Sequence, residues 1–216
     1  MTQKIYALML TAPLLFSACN STAVSPKTAN VQNGVQAQEK TMATQKASTV
    51  ETTVTYVNNK DEIKSLGNAH IESFMVTLKE PLMQLINMDS SYKSAMGGCS
   101  SIAMSRTNEY NAVSNVKVRR TALKYRNPAN KPDETDKIVM EHFLASNNLK
   151  DSLVVDMGNN YRVYKALDMK KPCLACHGEN ISEDLQKMLT RTYPKDMATG
   201  FKLGEFRGVV VAKVKK

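Results

Sequence analysis

Between residues 60 and 88, Ile63, Leu66, His70, Phe74, Leu78, Leu82 and Leu85 recur three or four positions apart. That spacing predicts a helix with one apolar stripe. Pro81 lies inside the stripe and predicts a kink or a boundary. Gly97-Gly98 interrupts the pattern, and Cys99, Ile102, Ala103 and Arg106 resume it. A second helix is therefore expected to open there, with Cys99 in its first turn. The alternating run NVKVRRTAL predicts a strand that ends in the turn-rich loop KYRNPANKPDE. Asp133 occupies the N-cap position of a helix reaching about Ser146, with Ile138, Val139, His142 and Phe143 on its buried face. DSLVVDMGNNYRVYKAL reads as a hairpin around Gly158-Asn159-Asn160, and GEFRGVVVAKV as a closing strand. Helices followed by a mostly antiparallel sheet make an α+β domain.

Ahead of residue 51 the pattern is different. Residues 1–19 carry Lys4, an apolar run from Ile5 to Phe16 and small residues before Cys19, the order of a secretory signal. Its apolar part is too short for a permanent membrane anchor. Phe16-Ser17-Ala18-Cys19 resembles a bacterial lipobox, in which Cys19 becomes a lipid-bearing N-terminus; an ordinary signal peptide cut near Ala18 fits the same residues. Residues 20–50 hold almost no large apolar side chain and cannot offset their ordering entropy, so they read as a flexible tether. Residues 51–216 are then one domain with its own core. These features predict a periplasmic or otherwise extracytoplasmic protein, tethered to a membrane by its N-terminal lipid.

The formal charge of +9 has to be read in that setting. Export makes nucleic acid a poor partner, and a basic exported domain is expected to attract an acidic protein, an anionic membrane surface or a polyanionic cofactor. No Ser-His-Asp arrangement, phosphate loop, paired carboxylates or output domain stands out.

The chemistry concentrates at KPCLACHG, directly after a predicted strand. The chain has four cysteines and three histidines, and this segment holds Cys173, Cys176 and His177. C-x-x-C-H is the attachment pattern for haem c. Two thiols three positions apart reach the two vinyl groups of one porphyrin, and the adjacent imidazole then lies under the iron. A structural zinc site would want a second closely spaced ligand pair, which is missing. A thioredoxin-like pair would open a helix after an early strand, whereas this pair comes late and is followed by His-Gly. A plain disulfide is the remaining alternative.

Three blocks, YRVYKALDMKKPCLACHG, RRTALKYRNPANKPDETDKIVMEHF and YPKDMATGFKLGEFRG, together resemble the single-haem c-type cytochrome domain with a PAS-like fold. That family includes stand-alone cyanobacterial and proteobacterial proteins and the extracytoplasmic sensors of some histidine kinases. The resemblance spans roughly residues 60–214. It implies an antiparallel sheet of about five strands with flanking helices, one haem held at Cys173 and Cys176, and iron bound by His177. It also implies that a cysteine of the early helical region can be the second axial ligand, and AMGGCSSIA matches that block.

Cys99 also stands out by accounting. With Cys19 lipidated and Cys173 and Cys176 on haem, it is an unpaired thiol in an oxidising compartment, and iron ligation would protect it. A small buried hydrophobe is the alternative reading. His70, His142, Met96, Met104, Met169 and Met197 are competing sixth ligands, although 13 methionines make a Met near the iron unsurprising. A thiolate ligand would favour Fe(III) and a low potential, and its loss on reduction would open the iron to a small gas. Arg119, Arg120, Arg126 and Asn127 are candidates to pair with haem propionates, because a guanidinium suits a carboxylate. Lys170 and Lys171 are candidates for a rim that docks an acidic redox partner. Tyr161 and Tyr164 read either as porphyrin contacts or as sheet packing. The functions in view are electron transfer, redox or gas sensing through a separate partner, and a peroxidase-like enzyme, which saturated ligation disfavours.

Overall fold

A computed structural model describes residues 54–56 and 60–216. The signal sequence, Cys19 and the tether lie outside the described residues. Among the described residues no helix is long and apolar enough to cross a membrane.

Helix α1 spans Asp61–Met88 and α2 spans Lys93–Val113. Strand β1 (Lys117–Thr121), helix α3 (Glu134–Ser146), strands β2 (Ser152–Asp156) and β3 (Asn160–Asp168), helices α4 (Leu174–His177) and α5 (Glu183–Thr192), and strand β4 (Phe206–Lys215) follow. The four strands form one antiparallel sheet in the order β1-β4-β3-β2. Ala212 of β4 faces Val118 on one side and Val163 on the other, which places the β-branched closing strand at the sheet's centre. The fold is α+β with a sheet and flanking helices, as a PAS-like domain requires. Where about five strands were expected, four are present among the described residues. Beside β2, Tyr56 makes an antiparallel bridge to Val155, supported by Asp156 N–H donating to Thr55 O at 3.0 Å.

Strand alternation divides the core between the two sheet faces. On one face Ile71, Phe74 and Leu78 of α1 pack on Val118, Val163, Val210 and Ala212. On the other, Val139, Met140 and Phe143 of α3 pack on Val155, Tyr164, Val209 and Val211. Each such fully buried side chain contributes about 1.5–3 kcal/mol. Tyr161 and Tyr164 point to opposite faces and belong to these two cores.

Four local expectations need correction. The buried stripe of α1 runs through Gly67, Ile71, Phe74 and Leu78, while Leu66 is exposed. Gly67 has no Cβ to hold α1 away from Val163, so the closest approach falls on the glycine. Pro81 lies inside α1, so of the two alternatives read for it the boundary falls. The glycine pair does not open α2, which already starts at Lys93 under the Asp89 carboxylate, the acceptor of the Ser91 and Ser94 N–H groups at 2.9 Å. Gly98 instead leaves room for the Leu85 side chain of α1. Finally, His142 is exposed beside the Tyr56 ring, and Asp136, Val139, Met140 and Phe143 form the buried face of α3. The Asp133 cap is present as a reciprocal capping box with Asp136.

Candidate functional site

The long connection from β3 to β4 folds back on itself and presents the cysteine–histidine turn. Met169 N–H donates to Glu205 O and Gly204 N–H to Met169 O, both at 2.9 Å, which closes the connection at its base. Lys171–Cys173 form one 3-10 turn that passes into α4, so Cys173, Cys176 and His177 come from consecutive helical turns. Gly178 then ends α4. Its N–H donates to Leu174 O at 2.8 Å, and a Cβ on it would lie 2.5 Å from that same oxygen, so the turn needs glycine. A parallel bridge joins Gly178 to Phe201, with Phe201 N–H on His177 O at 3.0 Å.

The second segment, 196–201, sets the histidine. His177 Nδ1 lies 2.6 Å from Ala198 O. A carbonyl oxygen only accepts, so Nδ1 carries the proton and Nε2 keeps its lone pair for a metal or another acid. Burial is the largest influence on this imidazole, followed by the charges of Arg126 and Arg207, and together they push its pKa down to about 3. The ring is therefore held neutral, the state a metal ligand needs.

Arg126 ties the turn to the loop after β1. Its Nε donates to Asp196 Oδ2 at 2.9 Å, and one Nη donates to Cys176 O at 2.5 Å and Ala198 O at 3.2 Å. Both partners of this ion pair are nearly buried. Asp196 Oδ1 also accepts from Ala198 N–H at 2.7 Å. Arg126 is thus engaged with the backbone that carries the motif.

The structure places the remaining candidates as follows. Cys99 sits in the second turn of α2 and is open to solvent. Burial is the largest influence on it and pushes its pKa up, while Arg120, Arg126 and Arg207 pull the other way and Cys173 adds to the rise. The support from exposed helix N–H groups expected for this thiol is absent, because the helix starts earlier. Cys99, Cys173 and Cys176 are all free thiols close enough to influence one another. Burial likewise raises the Cys176 thiol, with Arg126 opposing it.

Arg120 lies on the sheet face shared by Val118 and Val210, toward Cys99. Arg119 points to the opposite face, into the Asp136 carboxylate at 2.6 Å. Asn127 caps a short turn by accepting from Ala129 N–H. His70 is half-buried, with its Nδ1 2.8 Å from the Tyr110 hydroxyl. Met96 packs beside Cys176, Met169 packs beside Cys173, and Met197 is exposed. Lys170 is paired with Asp168 at the surface.

Three residues of this site were not singled out from the sequence. Asp196 and Ala198 lie in the aperiodic run YPKDMATG, where neither an ion pair nor a carbonyl acceptor leaves a pattern. Arg207 starts the closing strand, and its guanidinium lies 5.3 Å from the Phe201 ring centre. Nothing in its spacing distinguishes it from a surface arginine.

The arrangement suits a porphyrin. Two free thiols and a neutral imidazole with an available Nε2 share one turn, and the half-buried Arg120, Arg126 and Arg207 are close enough to act on that imidazole. Among the described residues no group of three or more His, Cys, Asp or Glu stands ready for a bare metal ion. A porphyrin supplies four nitrogens itself and asks for only one or two protein ligands.

Comparison with known proteins agrees with the resemblance read from the three sequence blocks. The Tll0287-like family profile (Tll0287) matches residues 28–214. The chain belongs to the Tll0287-like family. A solved structure described as the cyanobacterial heme-protein Tll0287 superposes with a TM-score of 0.56 at 23% sequence identity, covering 74% of this chain and 98% of that one. Tll0287 therefore shares this fold over almost its whole length. No curated protein matches the chain.

Proposed function

We propose that this chain is an exported carrier of one covalent haem c that exchanges electrons with a partner protein. Cys173 and Cys176 would form the two thioethers, His177 Nε2 would bind the iron, and Cys99 would supply a second iron ligand. The observation that carries the reading is the Nδ1 hydrogen bond of His177 to Ala198 O at 2.6 Å, which orients a neutral imidazole beside two free thiols. Membership of the Tll0287-like family, together with a structural neighbour described as a heme-protein, supports it. When bound, the haem supplies one-electron redox chemistry. This chain's residues would hold it: Ala198 O fixes the tautomer, Arg126 and Asp196 fix the backbone, and Cys99, once deprotonated, would offer its thiolate to the iron.

Electron transfer is favoured over catalysis because residues 172–177 are only partly buried, which leaves a redox group there near the surface. The exposed Lys171 and the basic balance of the chain suit an acidic partner. A lipid on Cys19 would keep the domain at an extracytoplasmic membrane face.

The test is an optical and electron-spin spectrum of purified protein beside a Cys99→Ala variant. The reading expects a low-spin ferric signature with thiolate character that is lost in the variant. An unchanged signature removes Cys99 from the iron. Ready binding of carbon monoxide by the reduced protein, with loss of the Cys99 signal, would transfer the assignment to small-gas sensing.

A further inference from the structure

Three guanidinium groups surround the cysteine–histidine turn, and their partners do not balance them. Arg126 is satisfied by Asp196, Cys176 O and Ala198 O. Arg207 donates through Nη1 to Lys124 O at 2.9 Å and rests on the Phe201 ring. Arg120 is in a different position, because its Nε is buried and has no hydrogen-bond partner. The three cations are close enough that Arg126 and Arg120 both bear on Arg207. One carboxylate, Asp196, is paired within the group, and Arg126 has it.

Such an arrangement is costly as it stands. An arginine does not shed its proton in a protein, so a buried guanidinium without an anion keeps its full desolvation penalty. An orphaned buried N–H adds its own cost. Burial, followed by the charges of Arg126 and Arg120, lowers Arg207 to about 10. The remedy is an anion with two oxygens in a plane, the shape that a guanidinium fork matches.

We propose that Arg120 and Arg207 together form the seat of a haem propionate, leaving Arg126 to hold the backbone of the motif. The proposal rests on the haem reading above. Of the candidates read from the sequence it keeps Arg120, it adds Arg207, and it gives the unpartnered Nε of Arg120 its acceptor. Arg119, one residue away, is excluded because strand alternation commits it to Asp136 on the other face.

The test is resonance Raman spectroscopy on protein matured with haem carbon-13 labelled at its propionate carboxylates. The isotope identifies the propionate bending bands. Arg120→Gln and Arg207→Gln are each expected to shift a labelled band, and Lys165→Gln, which removes a surface cation paired with Glu72, is expected to leave it in place. Arg120→Lys, which keeps the charge and loses the fork, should give a smaller shift and serves if the glutamine variant does not accumulate. Labelled bands that stay in place in the arginine variants, with haem attached by intact mass, overturn the proposal. So does a change confined to the thiolate signature, since Arg120 would then serve Cys99. Absence of a haem adduct from the wild-type protein overturns the haem reading itself, and this proposal with it.

Discussion

Asp196→Ala is the most informative single change outside Cys99, Cys173, Cys176 and His177. The Asp196 carboxylate pairs with Arg126 at 2.9 Å, and the two side chains are only 10% and 12% exposed. Removing one partner of a buried ion pair leaves the other uncompensated, at about 3–5 kcal/mol. The same change strands the Ala198 N–H, which donates to Asp196 at 2.7 Å, and adds about 1 kcal/mol. A loss of about 4–6 kcal/mol is a large share of the roughly 5–15 kcal/mol that holds a domain together. Urea unfolding followed by circular dichroism reads it: the midpoint falls while the denaturant slope is kept, because the surface exposed on unfolding is unchanged. Asp196→Asn retains an oxygen acceptor and is expected to lose less. The effect should also reach the iron, since Ala198 O orients His177; the electron-spin signal of Asp196→Ala should broaden or shift. A loss below about 1 kcal/mol, the value of an exposed pair, with an unchanged spin signal, would refute the argument that this ion pair positions the motif.

Three further outcomes follow from other parts of the fold. Asp136 is fully buried and accepts from Arg119 at 2.6 Å, Asp133 N–H and the Tyr164 hydroxyl at 3.0 Å, and Arg162 at 3.3 Å. Asp136→Ala is expected to cost about 3–5 kcal/mol, and calorimetry should show Tm lower by roughly 6–20 °C. A Cβ at Gly67 would run into Val163 Cβ and both of its Cγ atoms, of which alanine at 163 removes the Cγ pair, so Gly67→Ala should lose about 1–3 kcal/mol to overpacking against a gain of about 1 kcal/mol in helix propensity. Val163→Ala should partly rescue it, and strict additivity in the double variant would contradict the contact. The Asp89 carboxyl is held well below the usual range, first by the Ser91 hydroxyl and then by the Ser94 and Ser91 N–H groups. Its folded pKa is depressed, so its support of the α2 start is present above an ordinary aspartate value of about 3.9 and is lost only as pH falls through the folded value. A carbon-13 carboxyl titration that shows Asp89 protonating near that ordinary value would remove the cap.

Periodicity made the long elements legible. The α1 stripe, the Asp133-capped helix, the hairpin and the β-branched closing strand all carry a repeat that burial imposes directly on sequence. Positions set by close approach were less visible: Gly67 and Gly98 mark where α1 meets β3 and α2, yet a glycine that permits contact looks the same as one that breaks a helix. Cys173, Cys176 and His177 form a local motif, so one turn displays them together. The rest of the site is assembled across long separations, with Arg126 reaching Asp196 and Arg120 reaching toward Cys99, and no spacing rule connects such residues. Alternation along β1 was the one available clue, since it separates Arg119 from Arg120 before any contact is known. Helix α5 left a signal in Leu185, Met188 and Leu189, three and four apart and packed together, but a ten-residue stretch holds no second repeat of it.

The central claim is that a haem is covalently attached to Cys173 and Cys176. Intact-mass spectrometry under denaturing conditions, on protein produced in a host competent for cytochrome c maturation, tests it most directly. The account predicts the mass of the chain plus one haem, retained after unfolding and absent when both cysteines are replaced by alanine. A wild-type mass with no haem and two alkylatable thiols at those positions would contradict it.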